Sequence, residues 1–204
     1  PYSPAFHTSA WVSQVKAQGW NLIPIFSDLQ PSCIGITQNP IPTGQTNAFW
    51  AGVQTGQNAI SAAYSRGMTG PLVLDIDRDV ADSAACANDT DWYVRGFVEQ
   101  VHTNAAYIAV LYTGSEAGSR VALRSLNLTP PSQIVIARYN GVEGVYSGIP
   151  QIPNSYWSQD QRGHQYSNSA QLVVSGVTHT IDLDCFDMVV FGSTSHSVYT
   201  PCLN

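Results

Sequence analysis

The sequence predicts an α/β protein built on a parallel sheet. Three observations lead there. Apolar runs of strand length alternate with helical stretches, each run ends in acidic or polar residues, and 204 residues at 44% hydrophobic content supply one sizeable core. We read residues 1–204 as a single domain.

Taken in order, "NLIPIFSDLQ" (21–30) is a strand running into a Pro/Cys/Gly-rich loop, and "NAFWAGVQTGQNAISAAYSRGM" (47–68) is an Ala-rich helix closed by Gly67 and Gly70. "PLVLDID" (71–77) is the next strand. "DTDWYVRGFVEQVHTN" (89–104) places Trp92, Val94, Phe97, Val98 and Val101 at helical spacing. "YIAVLYTG" (107–114) is a strand, "SEAGSRVALRSL" (115–126) a helix and "QIVIARYN" (133–140) a strand. Two further short strands, with less helix between them, follow in "YWSQDQRGHQYS" and "TIDLDCFD". Six strands are thus expected, near residues 22, 72, 107, 133, 163 and 180.

Ligands of parallel α/β proteins lie at the carboxyl ends of the strands. The residues found there are Asp28, Asp75, Asp77, Tyr112, Arg138, Gln165, Asp182 and Asp184. Asp75 and Asp77 are the pair with most to explain. Side chains alternate along a strand, so both share one face, and Arg78 is the only base nearby. Asp79, Asp82 and Asp89 read as caps or solvated loop residues.

Two familiar uses of such acids fail on the spacing. A calcium loop begun at Asp75 has Val80 at its glycine position and Cys86 at its glutamate position. A phosphatase of the haloacid dehalogenase type requires a lysine downstream, and this chain has none after Lys16.

Composition excludes other classes. Charged residues make up 11% of the chain and the net charge is -6, with one lysine and seven scattered arginines, so nothing offers a phosphate backbone a basic footprint. No apolar run is long enough to span a membrane, and no dinucleotide or phosphate-loop motif points to an organic cofactor. Cys33, Cys86, Cys185 and Cys202 are widely spaced, without a C-x-x-C pair, which favours disulfides over a metal and an extracellular setting. Asn88-Asp89-Thr90 and Asn127-Leu128-Thr129 are glycosylation sequons.

Segments spread along the whole chain carry a resemblance. "VKAQGWNLIPIFSDLQPSC", "LVLDID", "AVLYTG", "IVIARY" and "HQYS…VTHTIDLDCFD", in this order, resemble the secreted glycoside-hydrolase-like proteins known as domain of unknown function 1906, and beyond them the lysozymes of glycoside hydrolase family 25. The resemblance implies a (β/α)8 barrel of the TIM type, lacking its first one or two strands in this chain. A segment of about 35 residues is expected to be missing ahead of Pro1, on the size of one barrel unit.

It also implies paired-carboxylate chemistry on a cell-wall or other extracellular polysaccharide. One carboxyl protonates the leaving oxygen and the other attacks or stabilises the oxocarbenium-like centre. Two strand residues on one face stand ~6 to 7 Å apart, and their like charge keeps one protonated. Asp77 takes the acid role and Asp75 the partner role. Asp77 stands where the family 25 lysozymes carry a glutamate, and of three glutamates only Glu116 follows a strand closely. Asp28, Tyr112, Arg138, Gln165, Asp182 and Asp184 are assigned to substrate binding, with Tyr139, Trp157 and Tyr166 as further sugar-stacking or core aromatics. His164 and His179 stand open between acid/base and structural roles. A catalytically silent glycan-binding barrel and a structural extracellular protein remain as alternatives.

Asp75, Asp77 and Asp182 are expected to converge on one cleft, with Tyr112 and Arg138 on its wall. Four cysteines allow three pairings. Neighbouring strand-end loops bring Cys33 to Cys86, and a tail folding back over the last strand brings Cys202 to Cys185, unless a cysteine in a preceding segment claims Cys33 or Cys86.

Overall fold

The computed structural model describes residues 8–34, 39–76, 84–188 and Cys202. Helix α1 (Ser9–Ala17) opens the described chain, with the Thr8 side chain accepting the Trp11 N–H at its N-terminus. Strand β1 (Ile25–Ser27) follows, then a 3-10 turn (Ser32–Ile34), α2 (Gln45–Ser65), β2 (Gly70–Ile76), α3 (Ala84–His102), β3 (Tyr107–Gly114), α4 (Ser115–Ser125), β4 (Gln133–Ala137), β5 (Gln161–Val174) and β6 (Val177–Met188).

These strands form one sheet in sequence order. Pairs β1 to β5 are parallel, and β5 pairs with β6 antiparallel. The six strands stand where the alternation places them. The described residues do not make the closed (β/α)8 barrel: among them the sheet is a mixed, open half-barrel of six strands with four helices. The departure from all-parallel pairing lies at Ser175 and Gly176, both with positive φ (50° and 81°). Such a two-residue turn matches the twist of a hairpin and returns the chain antiparallel, whereas a parallel neighbour demands a long crossover.

The two faces of the sheet differ. Leu72, Leu74, Ile76, Ala109, Leu111, Ile134 and Ile136 are buried against the helical layer, where Tyr93, Val94, Phe97, Val98 and Val101 of α3 form the centre of the core. Helices α2 and α3 approach closely at glycines. A Cβ on Gly52 would lie 2.0 Å from the Tyr93 carbonyl oxygen, and one on Gly96 would lie 2.1 Å from that of Phe49. The other face carries a smaller apolar layer of Val73, Val110, Val135 and Met188, flanked by Ile108, Tyr112 and Phe186.

Among the described residues, no helix covers β5 on the helical side. The 138–160 segment does so with turns, burying Ile149, Ile152 and Trp157, whose Nε1 donates to the Pro131 carbonyl at 2.8 Å. A helix satisfies its own carbonyls, but an irregular segment cannot. Here two fully buried β5 side chains do it. Arg162 Nη2 donates to the carbonyls of Pro153 (2.9 Å) and Tyr156, and the His164 ring nitrogens face those of Gly144 (2.8 Å) and Arg138 (2.9 Å).

Both disulfides pair as the strand-end argument requires. Cys33 joins Cys86, tying the 3-10 turn to the first turn of α3, and Cys185 of β6 joins Cys202.

Candidate functional site

Register decides which strand-end residues share a face. Asp75 is level with Tyr112, Tyr112 with Val135, Ala137 with Gln165, and Gln165 with Asp184. Since Val73, Val110 and Val135 belong to the face opposite helices α2 and α3, so do Asp75, Tyr112, Ala137, Gln165 and Asp184. Asp182, two residues before Asp184, is exposed beside it. Four of the eight expected residues therefore line one edge of one face, with Asp182 at its rim.

At the level of Gln165 the two strands between β2 and β5 contribute only Gly114 and Ala137. These small residues open a cup over which longer side chains meet. Tyr112 Oη donates to Gln165 Oε1 at 2.9 Å, and Tyr139 Oη donates to the same oxygen at 3.0 Å. Two phenol donors on Oε1 leave the Gln165 amide N–H groups to donate to the Asp184 carboxyl. Gln165 is buried while Tyr139 is half exposed, so the network runs from the floor of the cup to its rim.

Asp184 differs electrostatically from an ordinary aspartate. Burial and the nearby charge of Asp182 push its carboxyl up to about 6, against the opposing hydrogen bond from Gln165. On the far wall, the Asp75 side chain is half-buried, and its backbone carbonyl accepts Gln30 Nε2 at 2.8 Å.

Other expected residues lie elsewhere. Asp28 follows Ser27, the register partner of Asp75, and so falls on the helical side, where its Oδ2 accepts the Thr55 hydroxyl of α2 at 2.8 Å. Tyr93 of α3 donates in turn to Thr55, and burial pushes its phenol well above the ordinary value. Arg138 points away from the cup as well, with Nη1 on the Gly148 carbonyl at 3.2 Å. Asp77, with Arg78, Asp79 and Asp82, lies outside the described residues. Glu116 is exposed in the first turn of α4, His164 and Trp157 are core, and Tyr166 packs beside the Cys185–Cys202 disulfide. His179 is exposed on the hairpin. Of the sequons, Asn127 is exposed after α4, whereas Thr90 is buried within α3 and bonded to the Cys86 carbonyl.

Sequence reading missed Gly114 and Ala137, whose smallness makes the cup. Their parity with Tyr112 and Tyr139 was the available signal.

Two other features are not this site. A groove of about 430 Å³ between α1, β1 and α2 is lined by Trp11, Leu22, Ile23, Phe26, Met68 and their neighbours, with Arg66 its one charged group. Glu143 lies within 4.8 Å of the sulfurs of Cys185 and Cys202, but those sulfurs are bonded to each other and cannot hold a metal. No helix among the described residues is long and apolar enough to cross a membrane.

No curated protein and no solved structure matches the chain. A family model does match across most of the chain, and it does not itself show a relationship to the family 25 lysozymes. Residues 5–186, which include every strand of the sheet up to Phe186, match the Rv2525c-like, glycoside hydrolase-like domain, and the chain belongs to that family.

Proposed function

We propose that this chain binds an extracellular polysaccharide in the cup at the strand carboxyl ends and hydrolyses it by paired carboxylates. The observation that carries this reading is the placement of Asp75 and Asp184 on one face and at one edge, with the Asp184 carboxyl raised to about 6. A carboxyl that keeps its proton in mildly acidic solution is what the leaving glycosidic oxygen needs, and a second, ionised one stabilises the developing positive charge. In this reading Asp184 is the proton donor and Asp75 the carboxylate. Asp77, to which the family resemblance gives the donor role, is tested beside it. Tyr112, Tyr139 and Gln165 orient the sugar hydroxyls, and the exposed Tyr139 ring offers a face for stacking. The two disulfides are compatible with an extracellular protein, and secretion is part of the proposal.

A panel of cell-wall polysaccharides, digested with wild type and with Asp75→Asn, Asp77→Asn and Asp184→Asn, tests the reading by release of reducing ends. Activity in wild type that falls at least ~100-fold in Asp75→Asn and in one of the other two, on the scale of a lost acid/base group, supports it. Retention on a glycan column without reducing ends from any panel member replaces hydrolysis with binding alone. Neither retention nor turnover removes the reading.

A further inference from the structure

The cations of this chain are scarce, and their positions are informative. Arg95 pairs with Glu99 on α3, Arg124 of α4 with Asp91, Arg138 is turned to the Gly148 carbonyl, and Arg162 is buried beneath the 138–160 segment. Arg66 lines the α1–α2 groove with its Nη1 on the Ala62 carbonyl, Arg120 is on α4, and Lys16 is in the last turn of α1. Among the described residues, none of these seven cations is on the face that carries the cup. That face holds Asp75, Asp182 and Asp184 instead.

An acidic rim alone recognises nothing in particular. Here it surrounds the neutral donors and acceptors of Tyr112, Tyr139 and Gln165, which suit sugar hydroxyls and amides. The combination narrows the glycan. Carboxylate- or phosphate-bearing chains meet like charge at Asp75 and at Asp182, and neutral chains gain nothing from the rim. A sugar ammonium finds Asp182 exposed at the rim, with Asp184 two residues along the same strand.

We infer that the cup selects polymers of amino sugars whose 2-amino groups are free and protonated, over their N-acetylated counterparts, and rejects uronic-acid or phosphate-bearing chains. The inference rests on the cup being the glycan site. Charges at this depth act through solvent, so the selectivity is an affinity ratio of about two- to fivefold per ion pair and is screened by salt.

The experiment is calorimetric titration of the full chain with three oligosaccharides of equal length: a glucosamine oligomer, its fully N-acetylated form and an oligogalacturonate. Each is run in mildly acidic buffer at 0.1 M and 1 M salt, where the Debye lengths are about 10 and 3 Å. The expected order is glucosamine oligomer first, acetylated oligomer second and oligogalacturonate undetected, with only the first weakened by salt. Asp182→Asn should cut the preference for the glucosamine oligomer about threefold, and Asp182→Lys should abolish it, with thermal melting confirming that both variants are folded. Equal affinity for the first two without salt dependence, or tightest binding of the galacturonate, overturns the charge selectivity while leaving the glycan site standing. Binding of none overturns both.

Discussion

Tyr112 on β3 and Gln165 on β5 are separated by a whole strand, yet the tyrosine hydroxyl reaches the glutamine carbonyl oxygen at 2.9 Å. The contact exists because β4 offers only Ala137 at this level. Gln165 thereby becomes the joint between the phenols of the cup and the carboxyl of Asp184.

Replacing that joint should move the carboxyl. The Gln165 amide favours the ionised form of Asp184, so Gln165→Leu should raise the Asp184 titration midpoint above its present value of about 6. Carboxyl-carbon NMR across a pH series reads this directly. A midpoint that stays or falls would show that the amide does not donate to Asp184.

The same group ties stability to pH. Its folded value, about 6, is above its ordinary 3.8, so the folded state binds the proton first as pH falls. Stability therefore rises as pH drops through about 6 toward 3.8, and the penalty is fully present above 6. With solvent screening at this half-buried site the penalty is about 1 to 2 kcal/mol. Asp184→Asn should therefore stabilise the protein at neutral pH by roughly 1 kcal/mol and flatten its contribution to urea midpoints measured across that window.

Gly52→Ala should be costly. The added methyl would meet the Tyr93 backbone oxygen at 2.0 Å, and neither helix backbone can yield without disturbing the centre of the core. The expected loss is about 3 kcal/mol, at the upper end for overpacking, read as a lowered thermal midpoint. A neutral substitution would mean that α2 and α3 separate easily.

The disulfides should rank by loop length. Cys33–Cys86 closes 53 residues and Cys185–Cys202 closes 17, which in the chain-entropy account corresponds to ~4 and ~3 kcal/mol. Paired Cys→Ala variants compared by urea unfolding check the order.

Strands β2, β3 and β4 were legible because each holds a run of β-branched and aliphatic residues, and the helix signals over 47–68, 89–104 and 115–126 fall on α2, α3 and α4. What the sequence hid was parity. Leu72, Val73 and Leu74 are all buried, so β2 shows no alternation from which to tell its two faces apart. Asp28 and Arg138, one residue out of phase with the cup, therefore could not be told from the residues that line it, and in the structure one contacts Thr55 and the other Gly148. The closing hairpin was missed for a different reason. "LVVSGVTHT" carries a two-residue turn signal, but expecting parallel pairing throughout left no place for it.

β6 has a further consequence, on the side of the strand away from β5. Among the described residues it ends the sheet, and at twelve residues it is a long open edge. Such edges invite a second copy to pair and start a fibril. The charges on β6 are Asp182, Asp184 and Asp187, all of one sign, so an antiparallel approach by another β6 would bring carboxylate toward carboxylate. Asp182 and Asp184, which give the cup its character, thus also act as gatekeepers against self-assembly, and acidification through about pH 6, which protonates Asp184, weakens that protection.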